Sequence, residues 1–163
     1  MNFFSIPDLI IKGKPMATPR PRAVKQGAHA RVYNPTAYTE WLNEAAHQLS
    51  TQYEPLKLEP LAGKIDVFIS FIFPRPKRLM KKSSKRGRIP MPLKPDLDNL
   101  TKATLDACQR AGVLSDDKCV YRMTVIKLYG TFDGVDMCEN THTQISFQTT
   151  QKNALDINQA PRD

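Results

Sequence analysis

Residues 65–74, IDVFISFIFP, narrow the possible folds more than any other part of the chain. Ile65, Val67, Ile69, Phe71 and Phe73 recur at every second position, the period of a strand with one buried face, and Pro74, which cannot donate to a ladder, ends the run. Such a face must be covered, and two segments have the period to do it. Tyr38, Trp41, Leu42, Ala45 and Leu49 fall at helical spacing and predict a helix over residues 35–51, with Asn34 as its cap and Pro35 at its first position. Its aromatic residues read as core, not as groups that stack on nucleic-acid bases. A second helix is expected from Leu100 to about Ala111, closed by Gly112 as a left-handed cap. Shorter strands are expected at residues 9–11, 120–129 and 144–147, with the proline-rich stretch after Gly13 extended or looped. Strands and helices interleave irregularly, which predicts an α+β fold: a two-layer sandwich of a small mixed sheet and two main helices. At 163 residues the chain can bury one core without disulfide or metal staples.

Charge is unevenly placed. The formal net charge is +8, and fifteen of the 24 basic residues fall in residues 12–31 and 75–94, neither of which contains an acid. The second stretch has no apolar period and reads as a mobile loop. Neither stretch carries the apolar stripe of a helix that lies on a membrane. A solvated loop explains such runs as well as a polyanion partner does, but acids gather elsewhere: five Asp lie within residues 96–117. A basic surface beside an acidic knot suits a phosphate-bearing substrate approaching a metal site. Cys108, Cys119 and Cys138 are odd in number and lack ligand spacing, so reduced thiols are expected and zinc is not. The first residues show no basic stretch followed by a long apolar one, so an intracellular, soluble protein is expected.

KPDLDNLTKATLDACQRAGVLSDD, residues 94–117, holds the chemistry. Pro95 keeps Lys94 out of helical angles, so Asp96 and Asp98 are expected in an extended segment, two apart and on one face. Lys102 follows Asp98 by four residues, one helical turn, and Asp116 and Asp117 lie in a turn after the helix. Magnesium favours carboxylate and water oxygens and takes few protein ligands. Phosphodiester hydrolysis needs an activated water and relief of charge on the leaving oxygen, to which a nearby lysine can contribute. The same spacings also suit helix capping, a turn and a surface ion pair. His29, His47 and His142 are scattered, and no phosphate-cradling glycine loop is present.

Here the chain resembles the RusA-like family of Holliday junction resolvases, common in phages and prophages. The likeness rests on Lys94-Pro95-Asp96-Leu97-Asp98-Asn99, Lys102, Asp106, Ala111-Gly112-Val113 and Asp116-Asp117. Weaker likeness lies in Gly13-Lys14-Pro15 with Arg20-Pro21-Arg22, and in Phe73-Pro74-Arg75-Pro76-Lys77. Cys108 and Cys119 stand where the family usually has leucine and a polar residue. The resemblance implies a RusA-like fold over residues 1–150; residues 151–163, polar and unpatterned, are expected as a loose tail. It implies a crossover junction endodeoxyribonuclease: a homodimer that uses Mg2+, with Mn2+ as substitute, to place paired nicks in four-way or branched DNA without an organic cofactor, in the cytoplasm of a bacterial host or phage-infected cell. It gives Asp96, Asp98 and Asp117 the metal, Lys102 the role of catalytic lysine, and Asp106 and Asp116 supporting roles. Lys14, Arg20, Arg22, Arg75, Lys77, Arg78, Lys81 and Lys82 are the expected DNA contacts. The rivals are an inactive protein on the same fold that only binds branched DNA, and a phosphoryl-transfer enzyme on small nucleotides, for which fifteen clustered cations are an excess.

Overall fold

A computed structural model of the protein describes residues 4–20, 22–26, 29–81, 86–132 and 140–150, with only the main chain described for residues 22–26 and 29–32. Its elements are β1 (Phe4–Ser5), β2 (Leu9–Lys12), β3 (Arg22–Gln26), β4 (His29–Tyr33), α1 (Thr36–Tyr53), β5 (Ile65–Phe73), β6 (Ile89–Pro90), α2 (Leu97–Arg110), β7 (Val120–Tyr129) and β8 (His142–Thr149). The fold is α+β, as the periodicities predict. A six-stranded mixed sheet runs in the order β1-β8-β5-β7-β6, and β2 also pairs with β8. β5 is central, parallel to β7 and antiparallel to β8.

The alternation in β5 places Ile65, Val67, Ile69, Phe71 and Phe73 in the core with Ala45 and Leu49 of α1 and Leu100 and Cys108 of α2. Both helices therefore cover one face of the sheet. On the other face the strand begins open, with Phe68 exposed and Asp66 ion-paired to Arg122. Ser70 and Ile72 on that second face are nonetheless buried, which one-sided alternation does not foresee. At that end the chain leaving β7 turns back: Gly130 N donates to Phe73 O at 2.9 Å and Phe132 N to Arg86 O at 2.7 Å.

Several boundaries depart from the sequence reading. Asn34 is not the cap of α1: the helix opens at Thr36, Pro35 takes the cap position, and no side chain caps it. The Pro35 carbonyl instead accepts from Tyr38 N and Thr39 N. The buried stripe is Tyr38, Ala45, Ala46, Leu49 and Tyr53, with Trp41 and Leu42 half-buried against the core. Beyond the proline-rich stretch, β3 and β4, for which the sequence gives no expectation, pair as an antiparallel hairpin with Gln26 opposite His29. It escapes notice because neither arm alternates apolar and polar residues cleanly. Residues 75–94 are not simply a loop: a 3-10 turn spans Lys77–Leu79, and β6 pairs with the end of β7.

α2 begins at Leu97, three residues before the apolar period suggests. Proline restrains the residue before it, so Pro95 acts on Lys94 alone and leaves Asp96 free to cap and Leu97 to start the helix. The far end is as expected. Gly112 has φ +72, Val113 N donates to Cys108 O and Gly112 N to Gln109 O, the paired bonds of a glycine-closed helix. Residues 151–163, expected as a loose tail, lie outside the described residues. Among the described residues no helix is long and apolar enough to cross a membrane.

Candidate active site

The start of α2 decides how the acids are presented. Asp96 holds the cap position with φ −69 and ψ 142, but its carboxylate makes no capping bond and stays uncommitted to the helix. Asp98 lies in the first helical turn, not in an extended segment, so the period-2 argument for a common face with Asp96 does not apply. Its charge is favourable there, beside the unpaired N–H groups of the helix start. One turn on, Lys102 projects from the same helix and is exposed. Thr101 between them is buried, lines the same cavity, and gives its hydroxyl proton back to Leu97 O at 2.8 Å.

After α2 the chain reverses through Gly112, and a 3-10 turn at Asp117–Cys119 returns the second acid pair to this region. The two members of the pair have different surroundings. Asp116 caps the turn: Oδ1 accepts from Lys118 N at 3.0 Å and Oδ2 lies 2.8 Å from Lys118 Nζ. Those hydrogen bonds hold the Asp116 carboxyl below the usual carboxylate range. Asp117 lies on the cavity side of the turn. It lines a cavity of about 690 Å³ together with Asp98 and Lys102, whose walls are Leu97, Leu105, Met123 and Val125. Two carboxylates and one ammonium thus share an open cleft with an apolar back.

Asp96 is not among the residues lining that cavity. Among the described residues, no three acids, histidines or cysteines come close enough together to form a metal cage. The donor chemistry nevertheless fits one kind of ion. Two hard carboxylate oxygens facing one wet cavity suit Mg2+, which keeps most of its waters and binds through one or two carboxylates plus substrate phosphate. They do not suit a metal that needs a closed set of protein ligands.

Of the expected DNA contacts, Lys14, Arg20, Lys77, Arg78 and Lys81 are exposed. The side chain of Arg22 and all of Lys82 lie outside the described residues. Arg75 requires correction. It is only 4% exposed, its Nε donates to Gly130 O at 3.0 Å, its Nη2 donates to Gly87 O, and its guanidinium lies 6.0 Å from the centre of the Phe132 ring. A cation so buried cannot reach a phosphate; it ties the two ends of the loop to the sheet.

Sequence reasoning missed two supports of the site. Lys127 of β7 donates from Nζ to Leu93 O and, at 2.6 Å, to Pro95 O, fixing the main chain just before Asp96. Tyr38, read as core, also carries a hydroxyl that donates to Asp106 Oδ2 at 3.2 Å and lies 3.4 Å from Thr18 Oγ1. A buried tyrosine on a face packed against another helix was the available signal, because its hydroxyl must find a partner.

No curated protein matches the chain. A family model, described as endodeoxyribonuclease RusA, matches residues 12–136, a span that includes both basic stretches, both helices and the acid pair after α2. With most of its length in that match, the chain belongs to the RusA endodeoxyribonuclease family.

Proposed function

We propose that the protein is a magnesium-dependent, structure-selective endonuclease that resolves Holliday junctions by paired phosphodiester hydrolysis. The observation that carries this reading is the convergence of Asp98, Lys102 and Asp117 on one exposed cavity in a chain of this family. Asp98 and Asp117 would hold Mg2+, or Mn2+ in its place, with Asp96 at the helix start as the third acid of the set. When bound, the ion supplies Lewis acidity at the phosphate and lowers the pKa of a coordinated water. The remaining work belongs to the chain. Lys102, one turn from Asp98, offsets the negative charge that grows on the phosphate oxygens. Leu105, Met123 and Val125 form the apolar wall of the cleft against which the reacting phosphate would sit. The exposed cations Lys14, Arg20, Lys77, Arg78 and Lys81 dock the DNA arms. Two coordinated nicks call for two sites related by a two-fold axis, hence a homodimer; the family resemblance supports a setting in the cytoplasm of a bacterial host or a phage-infected cell.

The test is cleavage of a mobile four-way junction by the wild type and by Asp117→Asn, with Mg2+, with Mn2+ and with EDTA. The wild type is expected to nick the junction symmetrically, to spare linear duplex and to stop when EDTA is added. Asp117→Asn should lose cleavage by orders of magnitude, because the amide weakens the hold on the cation. Its metal-free junction binding should be kept or strengthened, because a negative charge near the phosphates is gone. Cleavage near the parent rate by Asp117→Asn would remove Asp117 from the site. A wild type that binds junctions but cuts none with either ion would be the inactive binder.

A further inference from the structure

We infer that Tyr38 and Asp106 are positioning residues: through Thr18 they set residues 14–20, and with them Arg20, against the helix that carries Asp98 and Lys102. This rests on the nuclease reading above.

Residues 13–20, which follow β2, contain Pro15 and Pro19 and form no strand or helix. Its place therefore depends on a few anchors. Pro15 is buried and Ala17 packs against the core. Thr18 N donates to Asn99 O at 3.0 Å, so the segment meets α2 at the residue that follows Asp98. The Thr18 hydroxyl lies 3.4 Å from the hydroxyl of Tyr38 on α1, and that hydroxyl donates to Asp106 Oδ2 on α2 at 3.2 Å. One residue thus ties the segment to both helices.

The direction of the chain of bonds follows from the chemistry. The Tyr38 hydroxyl donates its one proton to Asp106 Oδ2, so the tyrosine oxygen is left to accept from Thr18. Burial raises the Tyr38 hydroxyl above its usual range, the Thr18 bond opposes that, and Asp106 adds to it, so the hydroxyl stays a donor at neutral pH as an ordinary tyrosine does. In the order Thr18 to Tyr38 to Asp106 each donor polarises the next bond. Tyr38 as a residue is 3% exposed, so losing the bond to Asp106 carries a cost. Asp106 stands one turn beyond Lys102 and two beyond Asp98 on the same helix. The helix that presents the reacting groups therefore also carries the fixed end of the latch.

Arg20 is exposed and two residues past Thr18, about 7 Å along an extended chain. A guanidinium held at that point can take a phosphate oxygen pair beside the acid cavity, where a free loop would lose affinity by having to be ordered. The latch thus acts on DNA position, not on the chemical step.

The test is a double-mutant cycle on the full chain with a four-way DNA junction and Mg2+. Tyr38→Phe should raise KM about two- to tenfold, the value of one lost hydrogen bond, and leave kcat nearly unchanged. Arg20→Ala should raise KM at least as much. In the double variant the Tyr38 change should add little, because its effect runs through Arg20. Asp106→Asn, which keeps an acceptor oxygen, should retain most of the wild-type KM. Urea titration establishes that each variant is folded. Additive effects of Tyr38→Phe and Arg20→Ala, a fall confined to kcat, or a Tyr38→Phe enzyme equal to the wild type would overturn the inference. If the wild type cuts no junction, the nuclease reading fails separately, and the same cycle is read from metal-free junction Kd. A wild type that neither cuts nor binds DNA would overturn both.

Discussion

The two basic stretches look alike as strings of residues and are held in opposite ways. Residues 75–94, with nine Lys and Arg, are tied to the sheet at both ends. Arg75 bonds the carbonyls of Gly87 and Gly130 at one end. At the other, Lys127 bonds the carbonyls of Leu93 and Pro95, and Met91 N donates to Lys127 O at 2.9 Å. Residues 12–31, with six, leave β2 at Gly13, whose N donates to Thr141 O, and are next anchored at Thr18. Beyond that they enter a hairpin that forms its own two-stranded sheet. Positive charge in a sequence therefore does not say what the charge is used for. In one stretch the first cation is part of the framework; in the other the exposed cations Lys14 and Arg20 flank the anchor at Thr18.

The largest effect that would test this contrast is on stability. Arg75→Ala removes a buried guanidinium and leaves the Gly87 and Gly130 carbonyls without it, at a cost of about 3 kcal/mol. In a chain of this size that is a fall of roughly 6–12 °C in melting temperature. Arg75→Lys should recover only part, since one ammonium cannot reproduce a planar fork spanning two carbonyls. Urea unfolding checks both. If Arg75→Ala were as stable as the wild type but bound junction DNA weakly, the two stretches would be alike after all.

A smaller and more local effect is expected at Lys127. Lys127→Met keeps the aliphatic stem but frees the main chain at Leu93 and Pro95, just ahead of Asp96. Stability should fall by about 1–2 kcal/mol. The cleavage rate should fall by about tenfold or more, as for any small displacement of groups that must meet a phosphate in one geometry, while KM stays close to the wild type. An unchanged kcat would mean that the support of the residue 93–95 loop is irrelevant to the acids.

What the sequence made legible divides along the same line. Period and punctuation were enough for β5, for β7 and for the glycine closure of α2, because each is decided by residues close together in the chain. The acid motif was legible too, since Asp98, Lys102 and Asp117 come to one cavity through a helix turn and a chain reversal that can be counted along the sequence. The geometry at Asp96 was not, because the helix starts three residues earlier than its apolar period. The polar roles of Arg75, Lys127 and Tyr38 were not legible, for a common reason. Their partners, Gly130, Pro95 and Asp106, lie 55, 32 and 68 residues away, and a basic or aromatic letter does not record whether its polar end meets solvent, a carbonyl or a carboxylate.

The finest test compares the exposed cations of the two stretches by salt dependence. Lys77 and Arg78 stand exposed in the 3-10 turn at the start of the second stretch, and Lys14 and Arg20 stand exposed in the first. Each phosphate neutralised by a cation releases counterions, so the slope of log K against log salt falls by roughly 0.9 for every contact removed. Lys77→Gln with Arg78→Gln should lower the slope by up to about 1.8 on that basis and change stability by less than about 0.5 kcal/mol, as for surface substitutions. Lys14→Gln with Arg20→Gln should lower it similarly. Because Arg20 follows the latch at Thr18, that pair should also raise KM for junctions. Should only the first pair alter the slope, DNA follows the surface of the second stretch and the anchored segment is a spectator. Should only the second pair alter it, residues 75–94 serve the site as framework throughout, and their nine cations mark no binding surface.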